Sequence, residues 1–99
     1  MVKVGLLVRF DALPGKEEEV ASFLEGALPL VNDEASTLVW HAIRLGPSTF
    51  GIFDAFPDEA GRQAHLNGKV AAALLGSVGD LVSQPTIEEV EVLASKTPG

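Results

Sequence analysis

Residues 37–56 read TLVWHAIRLGPSTFGIFDAF, and the pairing of their two halves decides the fold. Thr37–Leu45 and Thr49–Phe56 are rich in β-branched and aromatic residues, and Gly46-Pro47-Ser48 separates them, which is a hairpin signal. The loop length sets which side chains share a face. A three-residue loop pairs Leu45 with Thr49 and brings Trp40 opposite Asp54. A two-residue loop, Pro47-Ser48, brings His41 there instead, because a slip of one residue exchanges the faces. Proline at the centre of the loop disfavours a tight primed turn, so the three-residue loop is preferred. Trp40 then lies on the face of Phe50, Ile52, Asp54 and Phe56, and His41 lies on the other.

Upstream, Val2–Phe10 alternates as a strand, with Val2, Val4, Leu6, Val8 and Phe10 on one face. Leu13-Pro14-Gly15 makes a turn. Pro14 can begin a helix whose positive end suits Glu17, Glu18 and Glu19. Val20, Phe23, Leu24, Ala27, Leu28 and Val31 recur at helical spacing as one apolar stripe, and Pro29 is expected to kink or end the helix. Downstream, Pro57-Asp58-Glu59 opens a second helix running to Leu66, with Ala60, Ala64 and His65 near its inner side. Asn67 is expected to cap a third helix carrying Val70, Ala71, Leu74 and Leu75. Gly76–Ser83 reads as a loop, Pro85–Ala94 as a last strand and residues 96–99 as a frayed tail. The order β-α-β-β-α-β predicts an α+β, ferredoxin-like βαββαβ domain over residues 1–99, an antiparallel sheet with helices on one face.

That arrangement leaves one sheet face uncovered. Leu38, Trp40 and Ala42 alternate with Val39, His41 and Ile43, so both faces of the second strand are apolar. The chain has 99 residues, 46% of them hydrophobic, and a mean hydropathy of +0.26. A domain this small buries a modest share of its surface, so a homodimer joined through the uncovered sheet faces is expected.

The net charge is −7, from 14 acidic and 7 basic side chains, which opposes nucleic acid and anionic membranes as partners. The absence of cysteine removes disulfides and thiolate chemistry. MVKVGLLVRF is too short and wrongly flanked for a signal peptide, and no apolar run approaches the ~20 residues of a membrane span, so a soluble cytoplasmic protein is expected. With two histidines, no metal-ligand spacing and no glycine-rich phosphate loop, no metal or other cofactor is expected.

Few side chains remain for chemistry. His65 has the right acidity for a base near neutral pH, or it simply stabilises the C-terminus of its helix. Asp54 sits among Phe50, Ile52 and Phe56, where a carboxylate is costly unless paired; His65 is a possible partner, and an edge position open to water is the alternative. Trp40 lines the same face, as a substrate platform or as core filling. Arg44, on that face too, either grips an anionic group or pairs with a nearby carboxylate.

The segments VRFDALPGKEEEVASFL, IFDAFPDEAG and QAHLNGKVAAAL, in this order and spacing, resemble the antibiotic biosynthesis monooxygenase family of dimeric α+β barrels, and the match spans nearly the whole chain. Asp54-Ala55-Phe56 and Ala64-His65 occupy the places of that family's strand-three Glu-x-Trp and helical Ala-His. The resemblance implies a homodimer and a cofactor-independent monooxygenase acting on a small aromatic or quinol, in which the deprotonated substrate itself passes an electron to dioxygen. His65 would be base or polariser and Asp54 its orienter. Trp40, Arg44, Phe50 and Phe56 would line the substrate pocket. Ile52 and Phe56 stand where the quinone-forming members carry Asn and Trp. Val8 and about Leu75 replace the Asn and the haem-ligating His of haem-degrading members, so haem is not expected. The alternative is a non-catalytic dimeric protein of the same fold, binding a small apolar molecule or purely structural.

Overall fold

The computed structural model describes residues 1–98. Strand β1 (Val4–Asp11) leads to helix α1 (Glu17–Asn32), then to the hairpin of β2 (Val39–Arg44) and β3 (Thr49–Phe56). Helices α2 (Glu59–Leu66) and α3 (Lys69–Gly76) follow, and β4 (Thr86–Glu91) closes the sheet. All neighbouring strands are antiparallel, in the spatial order β2-β3-β1-β4, which is the expected ferredoxin-like α+β fold.

The hairpin takes the three-residue loop. Leu45 donates its N–H to Thr49 O at 2.8 Å, and Trp40 stands directly opposite Asp54. Register then carries through the sheet: Leu6, Val8 and Phe10 of β1 pair with Asp54, Ile52 and Phe50 of β3. These side chains face the helices and form the core with Val20 and Leu24 of α1, Leu74 of α3, Phe56 and Val82.

Several local details differ from the sequence reading. Helix α1 runs through Pro29 to Asn32. Pro29 and Glu25, whose carbonyl loses its intrahelical donor there, are both exposed, so water can serve that oxygen. Leu28, assigned to the buried stripe, is also exposed. Asn67 ends α2 rather than starting α3; Gly68 holds the N-cap position of α3. On α2 the inner residues are Gly61, Arg62 and His65, while Ala60 and Ala64 are exposed. The strands are shorter than expected at both chain ends, although Lys3 N–H still bonds Phe56 O at 2.9 Å. Residues 96–98 carry no regular structure, and Gly99, the end of the expected tail, lies outside the described residues. The 76–83 loop belongs to the core: Val82 is fully buried and bridges Ala12, and Ser83 N–H bonds Asp11 O at 2.8 Å.

The uncovered sheet face carries Gly5, Leu7 and Arg9 of β1, Val39, His41 and Ile43 of β2, and Gly51, Phe53 and Ala55 of β3. Two glycines let the strands pass closely beneath larger neighbours. A Cβ at Gly5 would lie 2.6 Å from Asp54 O and 3.3 Å from both Phe53 and Val90. Backbone cannot yield as a flexible side chain can. Gly5→Ala is therefore expected to destabilise the protein by about 1–3 kcal/mol, the cost of forcing extra volume into a packed site. Urea unfolding measures this, and an unchanged midpoint would contradict the packing described.

Candidate functional site

Helix α2 begins immediately after β3, with Asp58 as its N-cap accepting from Gly61 N–H at 2.9 Å. This tight start folds the helix back over the strand it has just left. One and a half turns later the inward position is His65, above Asp54. His65 Nε2 lies 2.9 Å from Asp54 Oδ2, and its Nδ1 lies 2.6 Å from Glu34 Oε1. Glu34 comes from the α1–β2 connection and is held by Thr37 Oγ1, which donates to the same oxygen at 2.7 Å. The Phe56 ring packs against the imidazole at a centroid distance of 5.4 Å.

His65 and Asp54 are 6% and 1% exposed, so both charges are withdrawn from water. Burial acts to lower the pKa of His65 and is the largest single influence. The close carboxylates of Asp54, then of Glu34, together outweigh it and hold the pKa above its ordinary 6.5. The two carboxylates are not equivalent. Glu34 makes a directed hydrogen bond with Nδ1. The Asp54 contact is close enough for an ion pair, yet neither Asp54 oxygen receives a well-aligned hydrogen bond, and Oδ1 has no partner.

Asp54 and His65 are the only polar side chains on a cavity of about 40 Å³ between α3 and the sheet, otherwise walled by Leu6, Val8, Ile52, Val70 and Leu74 among others. Leu75 and Ile87, which also line it, are exposed and form its rim. The remaining expected pocket residues divide differently. Trp40, Arg44 and Phe50 line a separate cleft of about 510 Å³ between α1 and β2, with Leu24 and Leu28. Arg44 lies over the Phe50 ring at 4.8 Å and pairs with Glu18 at 3.1 Å. Phe56 is fully buried against His65 and lines neither space. Trp40 joins the two regions, since it packs on the Ala27–Val31–Val70 cluster while standing opposite Asp54. Its Nε1 is buried without an acceptor.

Sequence reasoning missed Glu34 and Thr37, which lie 31 and 28 residues before His65 and carry no local signature of their role. It also missed Arg62, which is buried and donates to Gly5 O and Val90 O at 3.2 and 3.3 Å, strapping α2 to the β1–β4 pair. Among the described residues no cluster of histidine and acidic side chains is arranged to hold a metal, and no helix is long and apolar enough to cross a membrane.

No family model and no curated protein matches the chain. Among solved structures it superposes on NE2512, a protein of unknown function from Nitrosomonas europaea. The TM-score is 0.95 and the identity 57%, over 100% of this chain and 97% of that one. It shares its fold with two candidate antibiotic biosynthesis monooxygenases. One, from Chloroflexus aurantiacus, has a TM-score of 0.75 and 14% identity, over 98% of this chain and 99% of that one. The other, from Bacteroides thetaiotaomicron, has a TM-score of 0.78 and 19% identity, over 99% and 96%.

The buried ion cluster has a pH signature. A histidine whose pKa rises on folding contributes stability that is full below its unfolded pKa, near 6.5, and is lost as pH rises through the folded value. The unfolding free energy is thus expected to decline above about pH 6.5. Glu34→Gln should shrink that decline and lower the His65 pKa seen by NMR titration of the ring. A wild-type His65 titrating at or below its ordinary value would contradict the arrangement.

Proposed function

The chain belongs to the family of the Nitrosomonas europaea protein of unknown function, and we propose that it is a cofactor-independent oxygenase acting on a small aromatic or quinol substrate. The observation that carries this reading is the Asp54–His65–Glu34 cluster. A buried carboxylate with an unused oxygen faces an otherwise apolar cavity, beside a histidine whose pKa its two acidic neighbours raise. The fold shared with the two candidate monooxygenases supports it. In such a site an aromatic hydroxyl gives up its proton to the free Asp54 oxygen, and the resulting oxyanion is favoured by the neighbouring His65 when its ring is protonated. The electron-rich oxyanion then passes one electron to dioxygen, giving an aryloxyl radical and superoxide, with no metal or flavin as intermediary. The α1–β2 cleft, with Trp40, Phe50 and Arg44, offers further apolar surface for the body of the substrate.

A second reading is a binding module with the same site and no turnover. It is favoured by one observation: both His65 nitrogens already face carboxylates, as in a purely structural cluster. Dioxygen uptake with a panel of hydroquinones and anthrones separates the two. Oxygenase function predicts protein-dependent uptake that Asp54→Asn reduces at least a hundredfold, as expected for loss of a proton-transfer group. Binding without uptake leaves the module.

We also propose a homodimer formed through the uncovered sheet face. Exposed Leu7, Ile43 and Leu45 beside half-buried Val39 and Phe53 give that face an apolar centre. An obligate interface of this kind buries on the order of 2,000 Å² in total. Light scattering at micromolar concentration is expected to give twice the 10.4 kDa chain mass, and a monodisperse monomer would overturn the proposal.

A further inference from the structure

The connection between α1 and β2 borders an open cleft that the reaction proposed at Asp54 does not use. Its volume is about 530 Å³, and Val31, Leu38 and Trp40 form part of its wall. It lies at the end of α1 away from Arg44, which pairs with Glu18 near the start of that helix. Glu34 and Thr37 line it as well. Glu34 Oε1 takes the Thr37 hydroxyl at 2.7 Å and lies 2.6 Å from His65 Nδ1. One carboxylate thus borders both the buried cluster and the cleft.

Glu34 has capacity to spare. Its Oε2 accepts no hydrogen bond and is not one of the buried polar atoms without a partner. With the side chain 19% exposed, that oxygen is open to solvent. Gly68 leaves room beside it, since a Cβ there would lie 3.2 Å from Oε2. Among the described residues, Glu34 is the only acidic side chain on the cleft, and no lysine or arginine lines it. Trp40 shares the cleft, and indole is the side-chain ring that attracts cations most strongly. Leu28 and Leu38 add exposed apolar surface. Trp40 and Glu34 stand on the helix-covered side of the sheet, not on the face proposed for dimerisation.

We infer that this cleft binds a primary alkylammonium ligand, the ammonium donating to Glu34 Oε2 beside the Trp40 ring and the alkyl chain lying on Leu28 and Leu38. The site goes beyond the reaction proposed at Asp54 and does not rest on it. Chemistry selects the group. A carboxylate meets Glu34 and finds no cation to hold it. A hard metal ion finds one carboxylate where it needs several oxygen ligands. A quaternary ammonium suits the indole but has no N–H for Oε2. An alcohol donates to Oε2 but brings no charge to the carboxylate or the ring. A primary ammonium has three donors and a positive charge, and the chain's net charge of −7 attracts it. Its binding is felt at the Asp54 cavity, because His65 joins the two places. A positive charge at Oε2 offsets the influence of Glu34 on the imidazole, which then gives up its proton more readily.

Three probes of one chain length test this: hexylamine, hexanol and hexanoate, near neutral pH. Their binding to the wild-type protein is measured by calorimetry. The emission of Trp40, the only tryptophan, and the NMR titration of the His65 ring are followed alongside. Hexylammonium is expected to bind about tenfold or more tightly than hexanol, as for a hydrogen bond gaining charge on both sides, and hexanoate most weakly. It should change the Trp40 emission and lower the pH at which His65 titrates. Glu34→Gln should remove the preference for the amine and its effect on His65. Equal binding of amine and alcohol overturns the proposal, as does tighter binding of hexanoate. Amine binding that moves neither Trp40 nor His65 places the amine on other surface carboxylates and overturns it too, as does no binding at millimolar concentration. The wild-type comparison and its two readouts decide the matter even if the variant fails to fold.

Discussion

The imidazole of His65, set between Asp54 and Glu34, is the contact on which the helical layer of this protein is organised. Three separate pieces of chain meet there: the middle of the sheet, the end of α2 and the connection after α1. None of the three charges is tolerable alone at that depth, since an isolated ion away from water is strongly disfavoured. Together they require one another, and each fixes the position of the segment that bears it. Thr37 extends the constraint into the start of the hairpin by holding the Glu34 carboxylate.

The cluster sets two acidic side chains around one imidazole, so it is short of hydrogen-bond donors. Glu34 is satisfied by Thr37 and His65, and the shortfall falls on Asp54. This asymmetry separates the site from an ordinary structural ion pair. A cluster selected for stability alone would be expected to close its hydrogen bonds, whereas this one leaves an acceptor facing an apolar cavity. Trp40, the cross-strand partner of Asp54, leaves a donor unused as well. The unmet groups of two adjacent strands are complementary in kind.

The pattern of burial divides the molecule into two surfaces with different demands. The helix-covered face is filled by Leu6, Val8, Phe10, Phe50 and Ile52, and its chemistry is confined to the Asp54 position. The uncovered face is smooth at its centre, because Gly5 and Gly51 let Phe53, Val90, Ile43 and Leu45 lie close over the backbone. Arg62, near the middle of α2, ties the helix to the β1–β4 pair, while His65 anchors its C-terminal end.

Local rules sufficed wherever partners lie close in the chain. The length of the Gly46-Pro47-Ser48 loop determined the hairpin register, and hence the placement of Trp40 opposite Asp54, because strand pairing propagates residue by residue from the turn. The short step from Asp54 to α2 made its meeting with His65 legible as well, since a helix beginning at once after a strand must fold back onto it. Pro29 and Asn67 show the limits of single-residue rules: one sits on a solvated helix face and the other two helices abut within two residues, so context decided both. Glu34 was beyond reach. Its role depends on a loop after α1 arriving beside a helix 31 residues later, and no spacing in the sequence encodes that approach. The division of the expected single pocket into a cavity at Asp54 and a cleft at Arg44 and Phe50 was equally hidden. Those spaces are what remains after every side chain has packed, a property of the whole fold rather than of any segment.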